Sequence, residues 1–281
     1  MKDTRNITDL THTDLACERR RADVTEPGIE FTKEIGSDHI WERIRVTNEQ
    51  GASSIGRPIG RYDTLTLARM DLLSEREINE AAERLARELR DIVGDTASKI
   101  LVVGLGNREL TADSVGPKAA CTVNATMHLE AIDPEGFPEL KCSRIAVLIP
   151  GVTADTGIDA ADVIGGACER IKPNAVIAID SLASRSEKRL GRTVQISDTG
   201  IIPGSGIGST RTPLNEKTLL APVYAIGVPT VINAAVIRKD TSSKKVKNTE
   251  SMFVSPKEID GISSSAAKII GLGINKAFGI V

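Results

Sequence analysis

Lys99-Ile100-Leu101-Val102-Val103-Gly104-Leu105-Gly106-Asn107, continuing through Arg108-Glu109-Leu110-Thr111-Ala112-Asp113-Ser114-Val115-Gly116-Pro117-Lys118, is the stretch on which the fold turns. The aliphatic, β-branched run at 100–103 stops at Gly104, and a polar loop carrying Asn107 and Asp113 follows. Gly116-Pro117 then opens a helix. A buried parallel strand ends in this way and presents a loop. Ligands of open α/β sheets bind outside the carboxyl ends of such strands, so Asp113 is the first candidate for chemistry.

The pattern recurs along the chain. Aliphatic runs at 145–149, 176–179 and 223–226 each end in a Gly, Pro or Asp loop, and helices are expected near 117–128, 158–171 and 215–220. Strand and helix in alternation predict an α/β fold with a mostly parallel, helix-covered sheet. Upstream, Ile44-Arg45-Val46 and Tyr62-Asp63-Thr64-Leu65-Thr66-Leu67 alternate with period two, as half-buried antiparallel strands do. Another short strand at 193–197 belongs at an edge or in a smaller β-rich appendage. Elements near 40–67 and 190–215 thus form a possible subdomain of one domain spanning 15–281. Ser74 and Glu77 make a capping box, behind which Ile78, Ala81, Ala82, Leu85, Leu89, Ile92 and Val93 hold one helical face up to Gly94. A last helix is expected over 256–276, and the lysine-rich tract 238–248 reads as a loop.

With 281 residues the chain can bury a sizeable core. Its 36 Lys and Arg against 38 Asp and Glu leave no basic field to suggest nucleic acid, and only 2% of residues are aromatic, too few for base-stacking platforms. Cys17, Cys121, Cys142 and Cys168 are widely spaced without a Cys-x-x-Cys pair, so reduced thiols in a cytoplasmic protein are expected. No apolar run is long enough to span a bilayer, and the polar, charged N-terminus is no secretory signal.

A second acid, Asp180, ends the third aliphatic run. Such a residue either holds a turn or serves chemistry. If the two strands are parallel neighbours, Asp113 and Asp180 converge on one sheet edge. Two close carboxylates cannot both ionise freely, so one keeps a proton while the other activates water. Asn107, Asp155 and the glycine-dense loop with Gly204, Ser205 and Gly206 belong to loops facing the same edge and are candidate substrate contacts; Asp155 and Asp159 alternatively cap a helix.

Other chemistries fail on the residues. Glu109 stands where a dinucleotide fingerprint needs Gly, and Pro203 breaks a nucleophile elbow around Ser205. The three histidines, His12, His39 and His128, form no zincin motif.

These blocks resemble the germination proteases, the endopeptidases that degrade small acid-soluble spore proteins of endospore-forming bacteria. The resemblance is carried by Thr13-Asp14-Leu15-Ala16-Cys17-Glu18, Gly56-Arg57-Pro58-Ile59-Gly60, the stretch 104–117, Pro150-Gly151-Val152-Thr153-Ala154, Val176-Ile177-Ala178-Ile179-Asp180, 195–206, and Ala225-Ile226-Gly227-Val228-Pro229-Thr230. It implies a homotetrameric, self-processing zymogen of the forespore and spore core, with catalytic aspartates at Asp113 and Asp180. It also implies a propeptide, 1–14, removed by cutting between Asp14 and Leu15, which gives the echo of Asp9-Leu10 by Asp14-Leu15 a purpose. The core is similar to hydrogenase maturation proteases as well. There a Glu and a His join the later Asp on a metal, but Ser114 takes the Glu position here and no His follows His128. The resemblance therefore implies a carboxylate pair with no metal or other cofactor, with metal-assisted hydrolysis as the alternative. A peptide-binding module without catalysis is the competing class, along with a structural spore protein.

Overall fold

In a computed structural model, which describes residues 13–20, 26–94, 97–208, 211–234 and 252–280, nine strands share one sheet. They are β1 (Ile29–Ile35), β2 (Ile40–Val46), β3 (Gly60–Thr66), β4 (Lys99–Gly104), β5 (Arg144–Leu148), β6 (Ala175–Ser184), β7 (Thr193–Ser197), β8 (Val223–Asn233) and β9 (Phe253–Val254). The order is β1-β2-β3-β7-β8-β6-β4-β5, with β9 beside the end of β8. β5, β4, β6 and β8 run parallel to one another, as the β-branched runs predict. β1, β2, β3 and β7 are antiparallel.

Alternation along the parallel strands divides the core between two faces. Ile100, Val102, Ile177, Ile179, Ile226 and Val228 face the helices Glu75–Val93 and Ile259–Phe278. Leu101, Val103, Val176 and Ala178 pack instead with Ile164 and Cys168 of the helix Ala160–Ile171. The capping box at Ser74 is formed with both of its hydrogen bonds, and Gly94 ends that helix. Asp159 caps the helix Ala160–Ile171 by accepting from the Ala161 amide.

Several elements differ from the sequence reading. β7 is an interior strand between β3 and β8, all five of its residues buried, so the β-rich part extends the same sheet. β6 and β8 run on to Ser184 and Asn233, well beyond their aliphatic cores. The helix expected over 117–128 is two pieces, Val115–Ala120 and Met127–Ile132. Tertiary bonds separate them, because the Asn124 amide donates to the Asn275 side chain and the Thr126 amide to the Ile145 carbonyl. Asn48 and Gly56 bracket a helix, Glu49–Ile55, that the turn signals had hidden. The tract 238–248 lies outside the described residues.

Candidate active site

β4 and β6 are parallel neighbours that pair as far as Gly104 and Ile179, and the Leu105 amide extends the contact to the Ile179 carbonyl at 2.8 Å. The next residue of β6 is Asp180, and the loop after β4 turns back through Thr111–Asp113. Both acids therefore line one cavity of about 370 Å³, with Gly151, Gly204, Arg211 and Thr230 on its walls. A larger cavity, about 940 Å³, lies between β1–β3 and the helix Glu75–Val93. Its carboxylates are answered by arginines: Arg61 bonds Asp63, Glu88 and Asp91, and Arg43 bonds Glu34 and Glu88.

The two acids sit in unlike surroundings. Asp180 is 5% exposed, and burial, then the nearby Asp113 charge, push its carboxyl well above the usual carboxylate range. It accepts from the Ser181 amide at 2.9 Å. Asp113 is half-buried, and burial raises it too, opposed by a bond from the Asn107 amide, 2.8 Å, and by the Arg211 charge. Such a pair can hold one proton and leave the other carboxylate to accept one from water. The hydroxyls of Ser181 and Thr230, which line the same cavity, are buried and have no hydrogen-bond partner among the described residues. Ser114, at the position considered for a metal ligand, turns its hydroxyl to the Thr111 carbonyl. Among the described residues no group of three His, Cys, Asp or Glu side chains is placed to hold a metal ion.

The N-terminal segment enters this cleft. Asp14 lines the cavity with the two acids, and its charge also acts on Asp180. The Asp14 amide donates to the Ala183 carbonyl, 2.8 Å; its carboxylate accepts from the Ala183 amide, 2.9 Å, and the Ser205 hydroxyl, 2.6 Å. Arg57 bonds the Thr13 carbonyl at 3.2 Å and stands 3.8 Å from the Asp14 carboxylate. Gly206 is required here, since a Cβ would come within 2.2 Å of that carboxylate. Leu15 follows in extended conformation and is fully buried. The Gln195 side-chain amide on β7 holds both ends of Leu15, donating to the Asp14 carbonyl at 3.2 Å and accepting from the Ala16 amide at 2.7 Å.

The sequence candidates fall into two groups. Asp113, Asp180, Asp14, Gly204, Ser205 and Gly206 come together here, with Leu15 following Asp14. Asn107 stands behind the site, its amide on Asp113 and its side chain accepting from the Glu109 amide. Asp155 is exposed on the short helix Thr153–Thr156 and contributes nothing to the lining. Arg57, Gln195 and Arg211 were not anticipated. Arg57 and Gln195 lie in quoted motif blocks, which was their only signal, and Arg211 had none.

A helix-backed α/β sheet whose strand ends gather a buried and a half-buried acid around an extended Asp-Leu segment has the make-up of a peptide hydrolase. Comparison makes the assignment particular. The family model described as Germination protease matches residues 8–249. Germination proteases of Caldanaerobacter subterraneus and Clostridium perfringens are 36% and 34% identical to the chain, each alignment covering 94% of it, with 93% and 94% of those proteins covered. That of Bacillus subtilis is 39% identical over 83% of the chain and 66% of its own length. The chain belongs to the germination protease family, and is thus a spore endopeptidase. Among solved structures, a nickel–iron hydrogenase maturation protease from Thermococcus kodakarensis aligns with a TM-score of 0.38 and 18% identity, over 67% of this chain and 99% of that one. Among the described residues no helix is long and apolar enough to cross a membrane.

Proposed function

We propose that the chain is a self-processing zymogen that cuts itself between Asp14 and Leu15 and then opens small acid-soluble spore proteins during germination. The observation that carries this reading is the seating of Asp14–Ala16: an acid in a socket, an extended apolar residue after it, and a side-chain amide on the carbonyl between them, in the cavity of Asp113 and Asp180. Asp180, the more strongly raised acid, holds the proton, and Asp113 is the base. Asp113 takes a proton from water as the oxygen attacks the Asp14 carbonyl carbon. Asp180 gives its proton to the carbonyl oxygen, beside the Gln195 donor. Collapse of the intermediate breaks the bond to the Leu15 nitrogen, which leaves with a proton from Asp113, while Asp180 recovers its own.

The same socket fits substrates with Asp or Glu before the cut bond. The enzyme works in the forespore and spore core as a homotetramer. Self-association fits the free edge of β1, where Ile35 is exposed.

Asp113→Asn and Asp180→Asn test the mechanism. Each is expected to stop both self-shortening and cleavage of a spore-protein substrate by at least a thousandfold, with thermal unfolding as cooperative as that of the parent. N-terminal sequencing of the unmutated product should begin at Leu15. Full activity in either variant, or activity that requires added metal, overturns the carboxylate pair.

A further inference from the structure

We propose that the Thr230 hydroxyl holds the attacking water beside Asp113, as a third group of the reacting centre. This deepens the proposed function and rests on the carboxylate pair performing the hydrolysis. Thr230 is 0% exposed on β8, and its hydroxyl, which has no hydrogen-bond partner among the described residues, lines the cavity of the two acids. The strand is distorted at this point. Leu182 pairs with Pro229 and Ala183 with Val231, so Thr230 is the extra residue of a bulge, without a partner on β6. Bulges next to reacting groups serve to re-aim a side chain. The turn Thr111–Asp113 packs against both β6 and β8, which brings Asp113 to the strand that carries Thr230.

A buried hydroxyl in a strand ordinarily finds a carbonyl or a side chain, because leaving it unpaired lowers stability. Among the described residues, hydroxyls without a partner are buried also at Thr64, Thr193 and Ser181, and of these three Ser181 alone borders the acid cavity. Ser181 retains some exposure, whereas Thr230 has none. The fold thus keeps a polar group where a methyl would pack as well. The reaction gives that group a task. The attacking water donates one hydrogen to Asp113, and its other hydrogen needs an acceptor if a lone pair is to point at the Asp14 carbonyl carbon. Asp180 is engaged in donating to the carbonyl oxygen. A hydroxyl oxygen supplies the missing acceptor through a lone pair. No proton passes to Thr230: the second hydrogen stays on the attacking oxygen through the tetrahedral intermediate.

Three variants of the full-length protein test this. Thr230→Val keeps the shape and removes the hydroxyl, Thr230→Ser keeps the hydroxyl, and Thr193→Val removes an unpartnered hydroxyl away from the cavity. Thr230→Val is expected to slow self-shortening, and kcat on a spore-protein substrate, at least tenfold, with KM within threefold and a melting temperature no lower than the parent's. Thr230→Ser and Thr193→Val should stay within threefold of the parent in both rates. Parent-like rates in Thr230→Val overturn the proposal. A Thr230→Val protein that melts lower or fails to fold also overturns it, because the hydroxyl then serves the fold, and so does a slow Thr230→Ser, in which a hydroxyl is still present. If Asp113→Asn stays active while Thr230→Val does not, the carboxylate base falls and the hydroxyl stands; the reverse pattern removes the hydroxyl alone.

Discussion

At the level of single residues, Asp113 and Asp180 carry the same functional group and are set apart by what surrounds them. Each accepts from one backbone amide and feels the Arg211 charge, but Asp180 is buried more deeply and has a like charge, that of Asp113, against it. Activity should therefore trace a bell with pH, falling on the acid side as Asp113 gains a proton and on the alkaline side as Asp180 loses one. A nearby cation favours the ionised form of both groups, so Arg211→Ala raises both pKa values. Both limbs should move to higher pH, and only slightly, because Arg211 is exposed and its field is screened. A kcat–pH profile of the variant that moves to lower pH, or stays in place, contradicts this arrangement. The two acids were legible because each ends an aliphatic run at the carboxyl edge of a sheet. Arg57 and Gln195 were not legible as contacts, since a polar residue in a loop or a strand looks the same whether or not topology brings a peptide to it.

At the level of elements, the starts of the strands could be read and their ends could not. Ile177 and Ile226 announce buried strands, but Asp180 and Ser181 on β6, and Gly227 and Pro229 on β8, are residue types that usually stop one. The pairing of β6 with β8 continues through them, with an irregularity after Leu182. The extra residues of β6 hold the N-terminal segment, Ala183 through Asp14 and Ser184 through Glu18. Helix Val115–Ala120 shows the converse dependence on close packing. Gly116 lies where β4 turns out of the sheet, and a Cβ there would stand 2.2 Å from the Leu105 carbonyl and 2.4 Å from that of Ile179. Both obstacles are backbone, so neither yields cheaply. Gly116→Ala should cost on the order of 3 kcal/mol in denaturant unfolding and lower kcat as well, because the β4 loop that carries Asp113 must shift. A variant as stable and active as the parent shows that the loop has room to adjust.

At the level of the whole molecule, the two charged regions behave differently with pH. Beside the larger cavity, Asp63 is fully buried, and desolvation, with Glu88 facing it, pushes it up to about 7 even against Arg61. A carboxyl whose folded pKa is raised contributes its stability below the unfolded value, near 4, and loses it as pH rises through about 7. Glu88 is shifted down, so its contribution is already complete above pH 5. The parent should lose melting stability between about pH 4 and 7, by at most about 4 kcal/mol, and Asp63→Asn should flatten that loss. A slope that survives the substitution places its origin elsewhere. The alternation of the parallel core was plain in the sequence. That the β-rich strands join the same sheet was not, because β7 bridges them only through long-range pairing.

The burial of Leu15 and Ala16 in the chain's own cleft has a consequence for timing. A bond already seated beside the reacting groups needs no encounter, so its breakage is a property of the fold rather than of how many molecules are present. Under the proposed self-processing, conversion runs as a clock: diluting the full-length protein a hundredfold should leave the half-time of shortening unchanged. A half-time that lengthens in proportion would show that one molecule cuts another. A cell holding such a protein sets the moment of activation by changing the environment of every copy at once, without first having to accumulate active enzyme.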